Sequence, residues 1–167
     1  GAAEGTLNIT KASGTATFAS NIGATQALLL IDATATTSTA VFDGAVSAAT
    51  IDSAGSMTFN GVLTATALNI QTAAEATFAG RIIETASSTS KLDLIGTTTV
   101  TVGFGHTTAG SSNTMDDVDM HANSTLILAD TITNGMHVFG TATVDAADVA
   151  DGSKIYMPVN LTDGQTI

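Results

Sequence analysis

Four side chains with hard oxygen donors lie close together in this sequence: Asn113, Asp116, Asp117 and Asp119, the last three within the run Asp116-Asp117-Val118-Asp119. Carboxylate and amide oxygens are what Ca²⁺ takes, since a hard cation with an adaptable coordination shell is matched by hard, adaptable donors. These four are the candidate calcium ligands, and Ca²⁺ is the one cofactor the sequence suggests. The run lacks an Asp-x-Asp-x-Asp-Gly loop with a trailing Glu, so a solvated acidic loop is the competing reading. Asp145, Asp148 and Asp151 form a second acidic group, open to the same two readings.

His106, His121 and His137 are spaced by 15 and 16 residues, close to one structural repeat, and would stack along one edge of a repetitive fold. A transition-metal site also needs convergence, and there is no Cys to help. Exposed or capping histidines are the preferred reading. Catalysis has little to stand on. No Ser lies in a Gly-x-Ser-x-Gly elbow and no Gly-rich phosphate loop carries a Lys. Asp32, Asp43, Asp52 and Asp93 fall in turns or alternate outward from strands. The expectation is a chain without catalytic residues, not an enzyme. The three Asn-x-Ser/Thr sequons, at Asn8, Asn123 and Asn160, arise readily by chance in a chain so rich in Ser and Thr.

The elements that would carry these residues are strands. Charged residues make up 11% of the 167-residue chain, against the roughly 25% usual in globular domains, so Thr, Ser and Asn supply the polar surface. Thr suits a pleated, half-exposed face, whereas a helix restricts its rotamers. The apolar fraction is 44% but aromatics are only 4%, so the core is thin and built from Ala, Val, Leu and Ile. Alternation at period two marks Leu7-Asn8-Ile9, Thr15-Ala16-Thr17-Phe18, Leu68-Asn69-Ile70, Leu92-Asp93-Leu94 and Val100-Thr101-Val102. Leu28-Leu29-Leu30-Ile31 and Leu126-Ile127-Leu128 are continuous apolar runs, which predict strands covered on both faces, with a buried helical turn as the rival reading. Asp43-Gly44 and Asn60-Gly61, with Asn134-Gly135, Asp151-Gly152 and Asp163-Gly164, read as turns that use left-handed φ.

An internal repeat is anchored on phenylalanine. Phe42-Asp43-Gly44, Phe59-Asn60-Gly61 and Phe78-Ala79-Gly80 share one form, and four residues after Phe18, Phe42, Phe59 and Phe78 stand Ile22, Val46, Leu63 and Ile82. Nine residues after Phe42 and Phe59 stand Ile51 and Leu68. The anchors are 24, 17 and 19 residues apart. A unit of strand and turn this short cannot bury its apolar face alone, and stacking successive units is the simplest remedy. The fold predicted is all-β, a parallel β-solenoid of about eight turns. An antiparallel sandwich or jelly roll is the alternative, above all after residue 105. One domain spans 1–167, with repeat-like coils over 1–105 and a less regular β region or cap over 106–167.

The phrases Thr15-Ala16-Thr17-Phe18-Ala19-Ser20, Thr58-Phe59-Asn60-Gly61-Val62-Leu63-Thr64-Ala65 and Ala76-Thr77-Phe78-Ala79-Gly80 resemble the loosely repeated units of bacterial autotransporter passengers and other secreted β-helix adhesins. They are similar also to phage tail-fibre shafts. The resemblance covers residues 1–105 and rests on compositional motifs. It implies a right-handed winding and a surface-exposed protein used for adhesion or as a scaffold, and it carries over no catalytic residue. Such passengers are normally far longer than this chain.

The net charge of −11, with Lys11, Arg81, Lys91 and Lys154 as the only cations, argues against nucleic acid and against anionic membrane surfaces. No run approaches the roughly 18 apolar residues of a membrane-spanning helix, so insertion into a membrane is not expected. The expected role is a structural subunit of an extracellular or cell-surface assembly, bacterial in character. Free strand edges would pair copies of the chain into a homo-oligomer or filament. The alternative is an adhesin or tail-fibre segment whose Thr/Asn-rich faces meet a glycan or a host surface.

Overall fold

The structure is a computed structural model that describes residues 2–71, 74–80, 82–84, 91–95, 97–102, 112–113, 117–121, 123–128, 137–139 and 154–156. Those residues contain no helix and form seventeen strands. In chain order they are β1 (Thr6–Ile9), β2 (Gly14–Phe18), β3 (Leu28–Ala33), β4 (Ser38–Phe42), β5 (Val46–Ser53), β6 (Ser56–Phe59), β7 (Leu63–Ala65), β8 (Ala67–Ile70) and β9 (Glu75–Phe78). They continue with β10 (Ile82–Glu84), β11 (Lys91–Leu94), β12 (Thr99–Val102), β13 (Ser112–Asn113), β14 (Asp117–Met120), β15 (Thr125–Leu128), β16 (His137–Phe139) and β17 (Lys154–Tyr156).

Two large sheets take up the strands alternately. The first runs β1-β3-β5-β8-β11-β14, with β7 and β10 attached through β5, and the second runs β2-β4-β6-β9-β12-β15-β17. Each time the chain returns to a sheet it lies beside the strand it left there before, one strand further along. Every pairing in these sheets, and in the two-stranded β13-β16 sheet, is parallel. The antiparallel alternative is therefore not found among the described residues, and after residue 105 β14, β15 and β17 extend the same two sheets. Among the described residues no crossover is helical. The passage through the opposite sheet supplies the crossover that parallel neighbours require.

The register turns sequence spacing into columns of touching side chains. Phe18, Phe42, Phe59 and Phe78 are successive partners in the second sheet. Ile22, Val46, Leu63 and Ile82 form a second column, which explains the aliphatic found four residues after each ring. Ile51 faces Leu68, and Ile31 and Leu92 extend that column on either side. The rings of Phe42, Phe59 and Phe78 are buried, as are Val46, Leu63, Ile82, Ile31, Ile51, Leu68 and Leu92. Burying each large side chain contributes about 1.5–3 kcal/mol, which is why irregular spacing between anchors is tolerated while the anchors are not.

Corners appear as slips in the two-residue period. In β5, Val46 and Ala48 are buried, Ala49 and Thr50 are both half-buried, and burial resumes at Ile51 and Ser53. The same slip recurs at Thr66 and Ala67 between β7 and β8, and the Thr66 amide donates to the Ala49 carbonyl at 3.0 Å. At another corner the amides of Asp43, Asn60 and Ala79 donate to the carbonyls of Phe18, Phe42 and Phe59 at 3.0, 2.8 and 2.9 Å.

Two expectations are corrected. Gly44 and Gly61 do not adopt positive φ; among the described glycines only Gly5, Gly14 and Gly23 do. Their role is close approach, because a Cβ on Gly61 would collide with the backbone of Gly44, and one on Gly80 with that of Gly61. The apolar runs are covered on one face rather than two: Leu29 is 54% exposed in β3, and Ile127 is half-buried while Leu126 is buried. Asn134-Gly135, Asp151-Gly152 and Asp163-Gly164 lie outside the described residues.

Candidate functional site

Because side chains alternate, each strand of the first sheet presents its polar residue on the outer face, and the parallel register aligns these into one row. Asn8, Asp32, Asp52, Asn69, Asp93 and Asp119 are successive partners. A row of carboxylates one strand apart carries like-charge repulsion. It is relieved locally: Asn69 separates Asp52 from Asp93, and the Gln71 amide donates to Asp52 Oδ1. At the corner between the second sheet and β7, Asn60 Nδ2 donates to Asp43 Oδ1 at 2.8 Å.

At the β11-β14 end the row becomes a four-residue cluster. Lys91 and Asp93 share the outer face of β11, while Asp119 and His121 follow the same parity along β14 and just beyond it. The His121 amide donates to the Leu94 carbonyl at 3.0 Å, which extends the β11-β14 ladder and places the imidazole on the face of Asp93. Lys91 Nζ donates to Asp119 Oδ2 at 2.8 Å and lies 3.5 Å from Asp93 Oδ2. His121 Nε2 lies 2.8 Å from Asp93 Oδ1 and 4.0 Å from Asp119 Oδ2. The hydrogen bond to Asp119 holds the Lys91 ammonium above the ordinary lysine range; partial burial opposes this and the Asp93 charge adds to it.

Asp93 is the most enclosed member, its side chain 17% exposed against 31% for Asp119 and 47% for His121. Its Oδ1 is shut off from solvent and, despite the short distance to His121, has no hydrogen-bond partner among the described residues. One oxygen each from Asp93 and Asp119 and one ring nitrogen of His121 lie within 4.8 Å of one another. This donor set can hold a cation.

Of the four calcium candidates only Asp119 falls in this cluster. Asp117 is the register partner of Lys91 and Asn113 that of Phe139, but the side chains of Asn113 and Asp117 lie outside the described residues, as does all of Asp116. Asp145, Asp148, Asp151 and His106 also lie outside them, and His137 is described as backbone alone. Sequence reasoning passed over Lys91 and Asp93 as site residues. The signal that finds them is a recurring tripeptide, an apolar or small residue on each side of Asp or Asn, centred on Asn8, Asp32, Asp52, Asn69, Asp93 and Asp119. Superposing those centres predicts the row and puts Asp93 beside Asp119.

The second sheet presents a different outer row: Thr17, Val41, Thr58, Thr77, Thr101 and Ile127 are successive partners. No described helix is long and apolar enough to cross a membrane. The sequence matches no protein-family model, and comparison with curated proteins and with solved structures finds no match.

Proposed function

We propose that the chain is a right-handed parallel β-solenoid segment serving as a non-catalytic structural subunit of an extracellular or cell-surface assembly, of the kind bacteria secrete, and that copies associate through strand edges. The observation that carries this reading is the pairing at one end of both sheets. Among the described residues β1 pairs only with β3, and β2 only with β4. The Gly5 and Ile9 carbonyls accept from β3 and its flanking residue, so alternation turns the backbone groups of Thr6 and Asn8 to the unpaired side. The Phe18 carbonyl likewise accepts from Asp43, which turns Thr15 and Thr17 outward from β2. Two adjacent edges in one layer invite a parallel strand from a second copy, and head-to-tail addition along the stacking direction gives an open filament.

Sedimentation velocity over a range of concentrations tests the reading. Association that grows with concentration supports it, and added salt should favour it by screening the charge of −11 on each copy. The variant Asn8→Pro/Thr17→Pro removes one outward donor from each edge while sparing the pairing with β3 and β4; it should stay monomeric. Wild-type chain that remains monomeric throughout counts against the proposal.

The second reading, an adhesin or tail-fibre segment, draws on the in-register threonines Thr17, Thr58, Thr77 and Thr101. Their hydroxyls present a regular polar face to a glycan or host surface. A glycan array separates the readings: specific binding lost in Thr58→Val/Thr77→Val favours adhesion, and a blank array favours assembly.

A further inference from the structure

We infer that Asp93, Asp119 and His121 form a binding site for a divalent transition-metal ion such as Zn²⁺, in which Lys91 is the resident competitor. The ligands lie on the outer face of the first sheet, on β11 and at the end of β14, the strand at the opposite end of that sheet from β1, so binding is read at a concentration where the chain is monomeric.

The donor types set the class of ion. Two carboxylates and an imidazole suit Zn²⁺ and its neighbours, whereas Ca²⁺ takes six to eight oxygens and gains nothing from a ring nitrogen. Replacing the predicted partners of Asp119, which were all oxygen donors, by Asp93 and His121 therefore changes the expected ion as well as the site.

The contact between Asp93 and His121 supplies the independent geometric argument. Nε2 and Oδ1 are 2.8 Å apart, yet Oδ1 is buried and accepts no hydrogen bond. A hydrogen bond needs the N–H aimed along the line between the two atoms. Metal ligation needs something else: both lone pairs point at a third position beside that line. With metal–ligand distances of about 2.0–2.2 Å and the tetrahedral angle that Zn²⁺ prefers, two ligands stand about 3.4 Å apart, so this pair opens by about half an ångström when the ion enters. The pair thus stands near the separation that two ligands of one ion have, with a buried carboxylate oxygen that no hydrogen bond uses. Asp119 and His121 are partly exposed, 31% and 47%, so rotation of their side chains brings the third donor from within 4.8 Å to ligand distance.

Lys91 occupies the other side of the same carboxylates, 2.8 Å from Asp119 Oδ2 and 3.5 Å from Asp93 Oδ2. Its ammonium already offsets one of the two negative charges, so a divalent ion binds against that charge. The flexible stem, with its side chain 38% exposed, lets the ammonium swing into water when the ion enters. This gives a signed prediction that a surface ion cloud does not share: removing a positive side chain tightens binding through charge, whereas removing the imidazole weakens it.

Isothermal titration of the full chain with ZnCl₂, and thermal melts with and without it, test the site. Zinc is expected to bind as one ion per chain and to raise the melting temperature by tying β11 to β14. His121→Ala and Asp93→Asn should each weaken binding by about tenfold or more, and Lys91→Met should strengthen it by about tenfold. CaCl₂ should give neither heat nor a shift. Should either ligand variant fail to fold, the imidazole ¹⁵N resonances of the wild-type chain answer the same question, since zinc must shift those of His121. The inference is overturned if Lys91→Met binds no zinc, if His121→Ala binds it as wild type does, or if calcium binds and the His121 resonances stay unmoved.

Discussion

Phe42 and Phe59, 17 residues apart in the chain, stack with ring centroids 4.8 Å apart and planes 6° from parallel. Phe18 continues the stack on one side at 4.9 Å and Phe78 on the other at 5.3 Å. The separation equals the spacing of hydrogen-bonded strands, so it is the backbone ladder that sets the rings at stacking distance. An offset-stacked aromatic pair adds about 0.5–1.5 kcal/mol beyond the area it buries.

Phe59 lies in the middle of this column, buried with a ring on each face. Phe59→Ala should therefore destabilise by about 3–5 kcal/mol in urea unfolding, whereas Phe18→Ala, half-buried and stacked on one side only, should cost distinctly less. Equal losses at the two positions would show that the column does not act as described.

Gly61 sits where the backbones of successive passages meet. A methyl group there would collide with the Gly44 carbonyl and with the Ala45 amide nitrogen at 2.8 Å, and backbone cannot move aside as a flexible side chain can. Gly61→Ala should cost about 1–3 kcal/mol and Gly80→Ala a similar amount. Gly5→Ala serves as a contrast: the added carbon finds only the end of Leu28 at 3.7 Å, so its cost comes from the positive φ alone, of order 1 kcal/mol.

Thr98 is a buried hydroxyl at the corner before β12, 2% exposed, whose one O–H donates to the Gln71 carbonyl at 2.6 Å with the Ala74 carbonyl at 3.2 Å as the second acceptor in reach. Thr98→Val keeps the shape and removes the donor. Leaving those carbonyls without it should cost about 1–3 kcal/mol, measured by thermal or urea unfolding.

The Lys91 ion pairs give a pH dependence with a defined sign. The folded-state pKa lies above the ordinary lysine value, principally through the hydrogen bond to Asp119. Their contribution is fully present below the unfolded-state value and is lost as pH rises through the raised one, above about pH 10. With the Lys91 side chain 38% exposed, solvent screening limits it to about 1 kcal/mol at most. Wild type should lose stability relative to Lys91→Met in that window, and parallel curves for the two proteins would refute the assignment.

Much of the fold was legible because burial is periodic. Alternation announced the strands, and the constant offset from Phe42 to Val46 and from Phe59 to Leu63 announced two columns whose members are register partners. Gly44 and Gly61 were legible as corner residues, but the reason was not, since contact with a neighbouring backbone depends on which passage lies beneath. The covering of Leu29 was misjudged because a run of apolar residues does not say how many layers surround it. The cluster at Asp93 was harder still. Asp93 and Asp119 are 26 residues apart, and local density drew attention to the residues adjoining Asp119 in sequence, whereas the parallel ladder supplies its neighbours from the previous strand.

Passages stack in parallel at strand spacing, and the proposed assembly continues that stacking from one copy to the next. Fibre diffraction from concentrated, aligned material tests both halves together. The prediction is a meridional reflection near 4.8 Å, with strands perpendicular to the long axis, that is lost in Asn8→Pro/Thr17→Pro. Fibres lacking that reflection, or fibres that form equally well from the double variant, would contradict it.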